Sequence, residues 1–319
     1  MEPITFILNP AAGKGKAERV WARAMECLER VGQPYVLVRT SGRGEASVMA
    51  SRATTSKVVA VGGDGTIQEV ANGIIGTEKT MGIVPAGSGN DLIKSLGIGR
   101  SIDAAVDIIL AAEERSIDVG GVRCSAEQDD DVSTNHQVGR YFVNGVGVGF
   151  DAAVAARTQE IPWLTGPLLY LAAVFQTLGK YQAPEFRVRM DGQAFDSQNL
   201  LFAVGNGRCA GGGFYLTPEA LVDDGLLDVC SIRAASVRRI LTLMPKAMSG
   251  NHGQAHEVNF FRTRSLHLSS PTPFYVHADG EVVGRSVRSV AVSIVPKVLR
   301  VLVPGGGIGA GSQRTGAPQ

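Results

Sequence analysis

At 319 residues with 44% hydrophobic content, the chain is long enough for two domains with ordinary buried cores and reads as a globular protein of enzyme size. Its 31 Lys+Arg against 30 Asp+Glu leave no global basic field, which excludes a nucleic-acid partner held by bulk charge and makes any anion site local. Its four cysteines, Cys27, Cys124, Cys209 and Cys230, lie far apart without a C-x-x-C pair, against a zinc site or a disulfide framework.

The opening residues, Met1 to Leu8, have neither a basic region nor a long apolar run, so they read as a first strand and not as a signal peptide, and a cytoplasmic location is expected. Phe6 to Leu8 is strand-like, and Val20, Ala24, Cys27, Leu28 and Val31 fall on one helical face that Gly32 terminates. The alternation continues through a strand at Tyr35 to Val38, a helix near Glu45 to Arg52, a strand at Val58 to Val61, a helix after Thr66 and a strand at Met81 to Val84. Helices follow near Leu92 and at Ala104 to Ala111. This βαβα order predicts an α/β domain with a parallel sheet, whose ligands bind at the carboxyl ends of the strands. From about Asp118 short apolar runs separated by Gly, Asp and Asn predict a mostly antiparallel β domain, with strands at Tyr141 to Val143, Phe186 to Met190, Leu200 to Val204, Leu227 to Ile232, Ser265 to Leu268, Phe274 to Val276 and Ser289 to Val295. Ser125 to Arg140, with three consecutive aspartates at 129–131, reads as a solvated loop or hairpin tip, and the Gly-rich end as a flexible tail over 305–319.

The chemistry concentrates in glycine-rich turns between strands and helices. Gly62, Gly63, Asp64, Gly65 and Thr66 follow an apolar β-branched run and precede a helical pattern, so bare backbone N–H groups and a helix N-terminus can face phosphate oxygens. Asp64 suits a magnesium ion or a substrate hydroxyl there, or caps the helix. Asn9 to Lys16, after the first strand, can add phosphate-binding amides but lacks a Walker ending, and Pro85 to Asp91 forms a further turn, with Ser88 near a phosphate and Asn90 or Asp91 placed to cap the next helix. Asp223, Asp224 and Asp228 surround a turn that can hold a hard cation or be a plain Asp-Gly turn. Asp279 and Glu281 share a strand face if the strand continues and can include a general base, although an Asp-Gly hairpin needs no chemistry. His252 and His256 do not make a metal pair, because Gly253 interrupts a helix between them, and the alternating glycines from Gly145 to Gly149 read as a bulged strand.

In this order, Asn9-Pro10 with Gly13 and Gly15, Gly62 to Thr66 with Glu69 and Asn72, Gly87 to Asp91, Gly145 to Asp151, Asp224 to Asp228 and Asp279 to Glu281, the chain resembles the diacylglycerol kinase catalytic family over nearly its whole length. The resemblance implies an ATP-binding domain at 1–118, a lipid-substrate β-sandwich domain at 119–295, and a last strand at about 296–304 returning to the first domain. It implies nucleotide contacts from Asn9, Pro10, Ala11, Ala12 and Gly13, from Thr40, from Gly62 through Gly63, Asp64, Gly65, Thr66, Ile67, Gln68 and Glu69, and from Ser88, where relatives often carry threonine. It implies a structural magnesium on Asp224 and the backbone carbonyls of Leu221 and Leu226, and Glu281 as proton acceptor supported by Asp64 and Asp279.

The activity that the resemblance implies is ATP- and Mg2+-dependent phosphorylation of a lipid hydroxyl, with diacylglycerol the expected acceptor. The apolar stretch 161–175, with Trp163 and Tyr170, is too short and interrupted to span a bilayer; it either lines an acyl-chain groove or rests at the inner membrane surface in transient peripheral contact, or packs in the core. An exposed sandwich edge makes a homodimer reasonable. Two rivals share parts of the pattern: an NAD kinase-like phosphotransferase, through Gly-Gly-Asp-Gly-Thr, and a catalytically silent nucleotide or lipid sensor.

Overall fold

The structure, a computed structural model, describes residues 1–128, 138–158, 160–161, 167–179 and 181–305, with the side chains of 167–171 excepted. The aspartate run at 129–131, Trp163, the Tyr170 side chain and the tail from 306 onward lie outside the described residues. The chain divides into two compact units, one of Met1–Ile117 with Val298–Gln319 and one of Asp118–Lys297.

The first unit runs β1 (Ile4–Leu8), a short turn α1 (Ala12–Gly15), α2 (Ala17–Arg30), β2 (Tyr35–Arg39), α3 (Glu45–Arg52), β3 (Lys57–Gly62), α4 (Asp64–Ile74), β4 (Thr80–Pro85), α5 (Asp91–Leu96) and α6 (Ile102–Ala111). Its strands pair in parallel, β4 beside β3, β3 beside β1 and β1 beside β2. The chain's end joins them, with Arg300 and Val301 parallel to Thr80 and Met81. Every residue of β4 and all but the first of β3 are buried, the mark of strands covered on both faces. In α2 the residues Ala17, Trp21, Ala24, Cys27 and Leu28, three or four apart, share the buried face. Trp21 meets Phe6 of β1 with ring centroids 5.1 Å apart. Full burial of side chains of this size contributes about 2–3 kcal/mol each, so this stripe is what docks the helix. Gly32, at φ 67, stops it as the sequence predicts.

The second unit begins within β5 (Glu114–Ser125) and continues through β6 (Arg140–Phe142), β7 (Gly145–Gly149), α7 (Phe150–Thr158), α8 (Pro167–Leu178), β8 (Glu185–Met190), β9 (Gln193–Gly205), β10 (Leu227–Arg233), α9 (Val237–Met248), β11 (Val258–Thr263), β12 (Ser265–Ala278) and β13 (Glu281–Leu302). Its pairings are antiparallel. The long strands β9 and β12 each pair with β8 along one half and with β7 along the other. Alternation along β9 sends Phe202 and Val204 into a core with Phe142, Phe186 and Phe274, while Leu201 and Ala203 face a second core with residues of α7, α8 and α9.

Several expectations are corrected. The strands expected at Ser265 to Leu268 and at Phe274 to Val276 are one 14-residue strand with register shifts between them. The last strand expected at 296–304 is the end of a 22-residue strand that starts at Glu281. The glycine run forms β7 and pairs with β9 without a register shift, so no bulge is needed there. Helices α7 and α9 and strands β5 and β11 have no counterpart among the predicted elements, and Ser125 and Arg140, the ends of the expected loop, lie in β5 and β6.

Candidate functional site

In the first unit the turns that follow β1, β3 and β4 meet at the carboxyl ends of their strands. Gly63 and Gly87 face each other so closely that a Cβ on Gly63 would sit 3.1 Å from the Cα of Gly87. Gly13 has φ 60, and a Cβ there would overlap the carbonyl oxygen of Ala86. Glycine at these positions is a requirement of backbone packed on backbone. The Asn9 amide donates to the Thr66 hydroxyl at 3.1 Å, and its own oxygen accepts from the Ala11 N–H at 3.1 Å. The Ala86 N–H donates to the Gly62 carbonyl at 2.8 Å, and the Thr40 N–H to the Leu8 carbonyl at 2.9 Å.

Asp64 joins two of these turns. It opens α4, yet its carboxylate accepts from the N–H groups of Asn90 at 2.8 Å and Asp91 at 2.6 Å, so it caps α5 and not its own helix. Asn90, expected as a cap, has φ 50 and turns its side chain back, accepting from the Gly87 N–H and donating to the Gly87 carbonyl. Burial, with the nearby Asp91 charge, raises the Asp64 carboxyl above the ordinary range, against the pull of the two amides. Glu69 is also engaged structurally, accepting from the N–H groups of Gly44 and Ala46 at the start of α3. The side chains of Ile67 and Gln68, both expected at the nucleotide, are buried, while Gly65 and Ser88 are exposed. The Ile67 N–H is itself engaged, donating to the Gly63 carbonyl at 3.0 Å.

In the second unit the expected carboxylate pair does not share a strand face. The chain reverses at Asp279 and Gly280, with φ 48 and 81, which joins β12 to β13 as the two-residue Asp-Gly hairpin. The Asp279 carboxylate accepts from the N–H groups of Val143, Asn144 and Gly145 at 2.8–2.9 Å and so fastens the hairpin to the segment between β6 and β7. Glu281 behaves differently. Its carboxylate is one-third exposed and paired with the Arg140 guanidinium. Beside the hairpin, His277 Nε2 lies 3.3 Å from the buried Asp151 carboxylate, and Nδ1 is buried without a partner. Gly147 makes room for this pair, because a Cβ there would overlap both side chains.

The turn after β9 carries the remaining acids. Asp224 accepts from the Leu226 N–H at 3.0 Å around Gly225, whose φ is 75, so the Asp-Gly turn is formed by its own residues. Burial, then the neighbouring Asp118 and Asp223 charges, raises the Asp224 carboxyl. Asp118, fully buried, accepts from the N–H groups of Gly225 at 2.6 Å and Lys297 at 2.9 Å and anchors the turn. Among the described residues no three His, Cys, Asp or Glu side chains converge as a cation cage. The charges acting on Asp224 are the Arg262 guanidinium and, against it, Asp118 and Asp223; a carboxylate on such a turn is a donor whose chemistry suits a hard divalent cation. His252 is buried against Cys230 at 3.5 Å, whereas His256 is exposed beside Glu257. Asp118, Arg140 and His277 carry no local motif, and sequence reasoning missed them.

The chain is thus a parallel α/β unit with glycine turns at its strand ends and an antiparallel unit with an acidic hairpin. The diacylglycerol kinase catalytic domain family matches residues 3–122, and the YegS C-terminal NAD kinase beta sandwich-like domain matches residues 144–303. A diacylglycerol kinase of Mycobacterium tuberculosis is 30% identical over 306 residues, covering 94% of this chain and 95% of that protein. One of Staphylococcus epidermidis is 29% identical, covering 88% and 86%. The chain belongs to the diacylglycerol kinase catalytic family. Its fold is that of two solved Bacillus anthracis structures, one titled a diacylglycerol kinase and one a putative diacylglycerol kinase. They have TM-scores of 0.71 and 0.76 at 19% and 22% identity, each covering 96% of this chain and 98% and 97% of theirs.

Proposed function

We propose that this protein is an ATP-dependent lipid kinase that transfers the γ-phosphate to the free hydroxyl of a lipid, with diacylglycerol as acceptor. The observation that carries the reading is the convergence of the turns after β1, β3 and β4, fastened by Asp64, on a chain of this family. The turns Asn9 to Gly13, Gly62 to Thr66 and Pro85 to Ser88 face the phosphates, with the N–H groups at the start of α4 as the donors, and Thr40 lies at the end of the neighbouring strand. Phosphoryl transfer needs little covalent chemistry from a protein, so fixed amide donors supply most of what this unit contributes.

Glu281 takes the acceptor's proton. Among the candidate acids Asp64 and Asp279 are engaged by backbone amides, and Glu281 is held by a side chain. Asp64 and Asp279 support the reaction by holding the turns. Asp224, with the carbonyls of Leu221 and Leu226, would hold a structural magnesium ion, which neutralises charge at that turn when bound. Access to lipid is by transient peripheral contact at the inner membrane surface, from a cytoplasmic protein; no helix of the described residues is long and apolar enough to cross a membrane. A homodimer through a free strand edge fits the same picture.

The test is transfer of labelled γ-phosphate from ATP and Mg2+ to diacylglycerol in mixed micelles, with sphingosine, ceramide, phosphatidylglycerol and NAD in parallel. Label in diacylglycerol that falls at least ~100-fold in Glu281→Gln, while ATP still binds, is the expected result. Label in NAD alone would move the chain to the NAD kinase-like reading, and ATP binding without label anywhere to the sensor reading.

A further inference from the structure

Arg140 lies three residues before Val143, and Glu281 two residues after Asp279. Asp279 grips the backbone of Val143, Asn144 and Gly145, so one clamp ties the far end of the short strand β6, which opens with the arginine, to the hairpin from which β13 starts with the glutamate. β6 is itself held to β5 by the pairs Gly120 with Phe142, Gly121 with Tyr141 and Val122 with Arg140. We infer that Arg140 is a positioning residue for phosphoryl transfer, holding the Glu281 carboxylate in one orientation for the acceptor hydroxyl. The inference rests on the reading of Glu281 as proton acceptor.

A glutamate has three rotatable side-chain bonds, and a base that wanders is a poor base: misplacement by about 1 Å can cost roughly 100-fold in rate. Asp64 and Asp279 are pinned by amides, whereas Glu281 is steadied by a guanidinium. The Arg140 guanidinium meets one Glu281 oxygen, Oε2, through Nη2, and its planar, permanently charged group fixes that oxygen's direction. Both partners are about one-third exposed, 34% for Arg140 and 31% for Glu281, so a substrate hydroxyl can reach the pair. Among the described residues, three other titratable groups of this corner have their own surroundings. Asp279 faces the backbone and His277 faces Asp151, while burial pushes the Cys124 thiol up to about 11. Arg123 precedes Cys124 on β5.

In the step itself the acceptor O–H bond breaks, its proton passes to a Glu281 oxygen, and the electron pair left on the acceptor oxygen forms the new bond to the γ-phosphorus. The electrons of the broken phosphoanhydride bond leave with ADP. Arg140 exchanges no proton. It sets the direction from which the carboxylate meets the hydroxyl.

The experiment is steady-state kinetics of Arg140→Gln, Arg140→Lys, Arg140→Ala, Glu281→Gln and the double variant Arg140→Gln/Glu281→Gln, with thermal melting of each. Arg140→Gln should lose about 10- to 100-fold in kcat with KM for ATP unchanged, and Arg140→Lys, which keeps charge but not the fork, should lie between. Once Glu281 is glutamine the arginine substitution should cost less than about twofold more, because its partner is gone. Added methylguanidine should restore turnover to Arg140→Ala and not to Glu281→Gln. Wild-type kcat in Arg140→Gln, or losses that multiply in the double variant, would overturn the inference. If Arg140→Gln melts below the assay temperature, the cycle is run with Arg140→Lys and read by the same criteria. Wild-type activity in Glu281→Gln would instead sink the reading of Glu281 itself, a separate failure.

Discussion

Replacing Asp64 separates a structural carboxylate from a chemical one. In the structure it makes two short bonds to the N–H groups of Asn90 and Asp91, across 26 and 27 residues of sequence, and it is the direct link from the start of α4 to the start of α5. Hydrogen bonds to a charged group contribute about 1.5–3 kcal/mol each, but burial and the Asp91 charge oppose them here, so Asp64→Ala should cost about 2–4 kcal/mol net. For a unit of this size that is a fall in melting temperature of roughly 6–15 °C. Asp64→Asn keeps one acceptor and should fall about half as far. The pH dependence has a definite sign. A carboxyl raised by folding binds its proton more tightly in the folded state, so its contribution declines as pH rises through the folded value. Asp64→Asn should flatten that decline. Near-UV circular dichroism melts across pH, with calorimetric titration of ATP, measure all of this. Wild-type melting in Asp64→Ala together with abolished turnover would refute the clamp and hand Asp64 to the chemistry.

Gly147→Ala should destabilise the second unit by about 2–4 kcal/mol, because the added methyl overlaps both Asp151 and His277 inside the fold, and a chemical denaturation midpoint equal to wild type would contradict this. The Arg239 guanidinium holds the Glu257 carboxyl down at about 2, so this pair stabilises the fold above the ordinary glutamate range and loses its effect as pH falls toward that value. Glu257→Gln should therefore be less stable than wild type at neutral pH, with the two melting curves converging near pH 2.

The alternating elements of the first unit were legible because each strand is a continuous apolar run and each helix a stripe, patterns set by burial on both sides of a parallel sheet. The glycine turns were legible for a related reason. Backbone packed against backbone, as at Gly63 and Gly87, tolerates no other residue. The features that stayed hidden depend on partners distant in sequence. Helix α7 follows the glycine strand as Phe150 to Thr158, with buried residues at five positions and no clean stripe, so periodicity could not find it. Arg140 has its partner 141 residues away, and His277 meets Asp151 across the sheet. Nor could spacing decide that Asp279 would sit in a turn with positive φ and not on a strand beside Glu281.

The roles of the acidic residues depend on the segments that each motif must hold still. A turn of bare backbone presents amides to phosphate only if neighbouring turns keep it in place, and glycines, which make the close approach possible, also make the turn soft. A carboxylate accepting two or three amides from a distant turn removes that softness, as Asp64 does for the Asn90 end, Asp279 for Val143 to Gly145 and Asp118 for Gly225 and Lys297. Each such carboxylate has its position fixed by backbone and two or three of its roughly four lone-pair sites already engaged. An acid that is to receive a proton must keep its oxygens accessible and be steadied by a side chain instead. On the proposed reading the hairpin divides its labour between residues two apart: Asp279 builds the corner, and Glu281, paired with Arg140, is the acid offered to the acceptor.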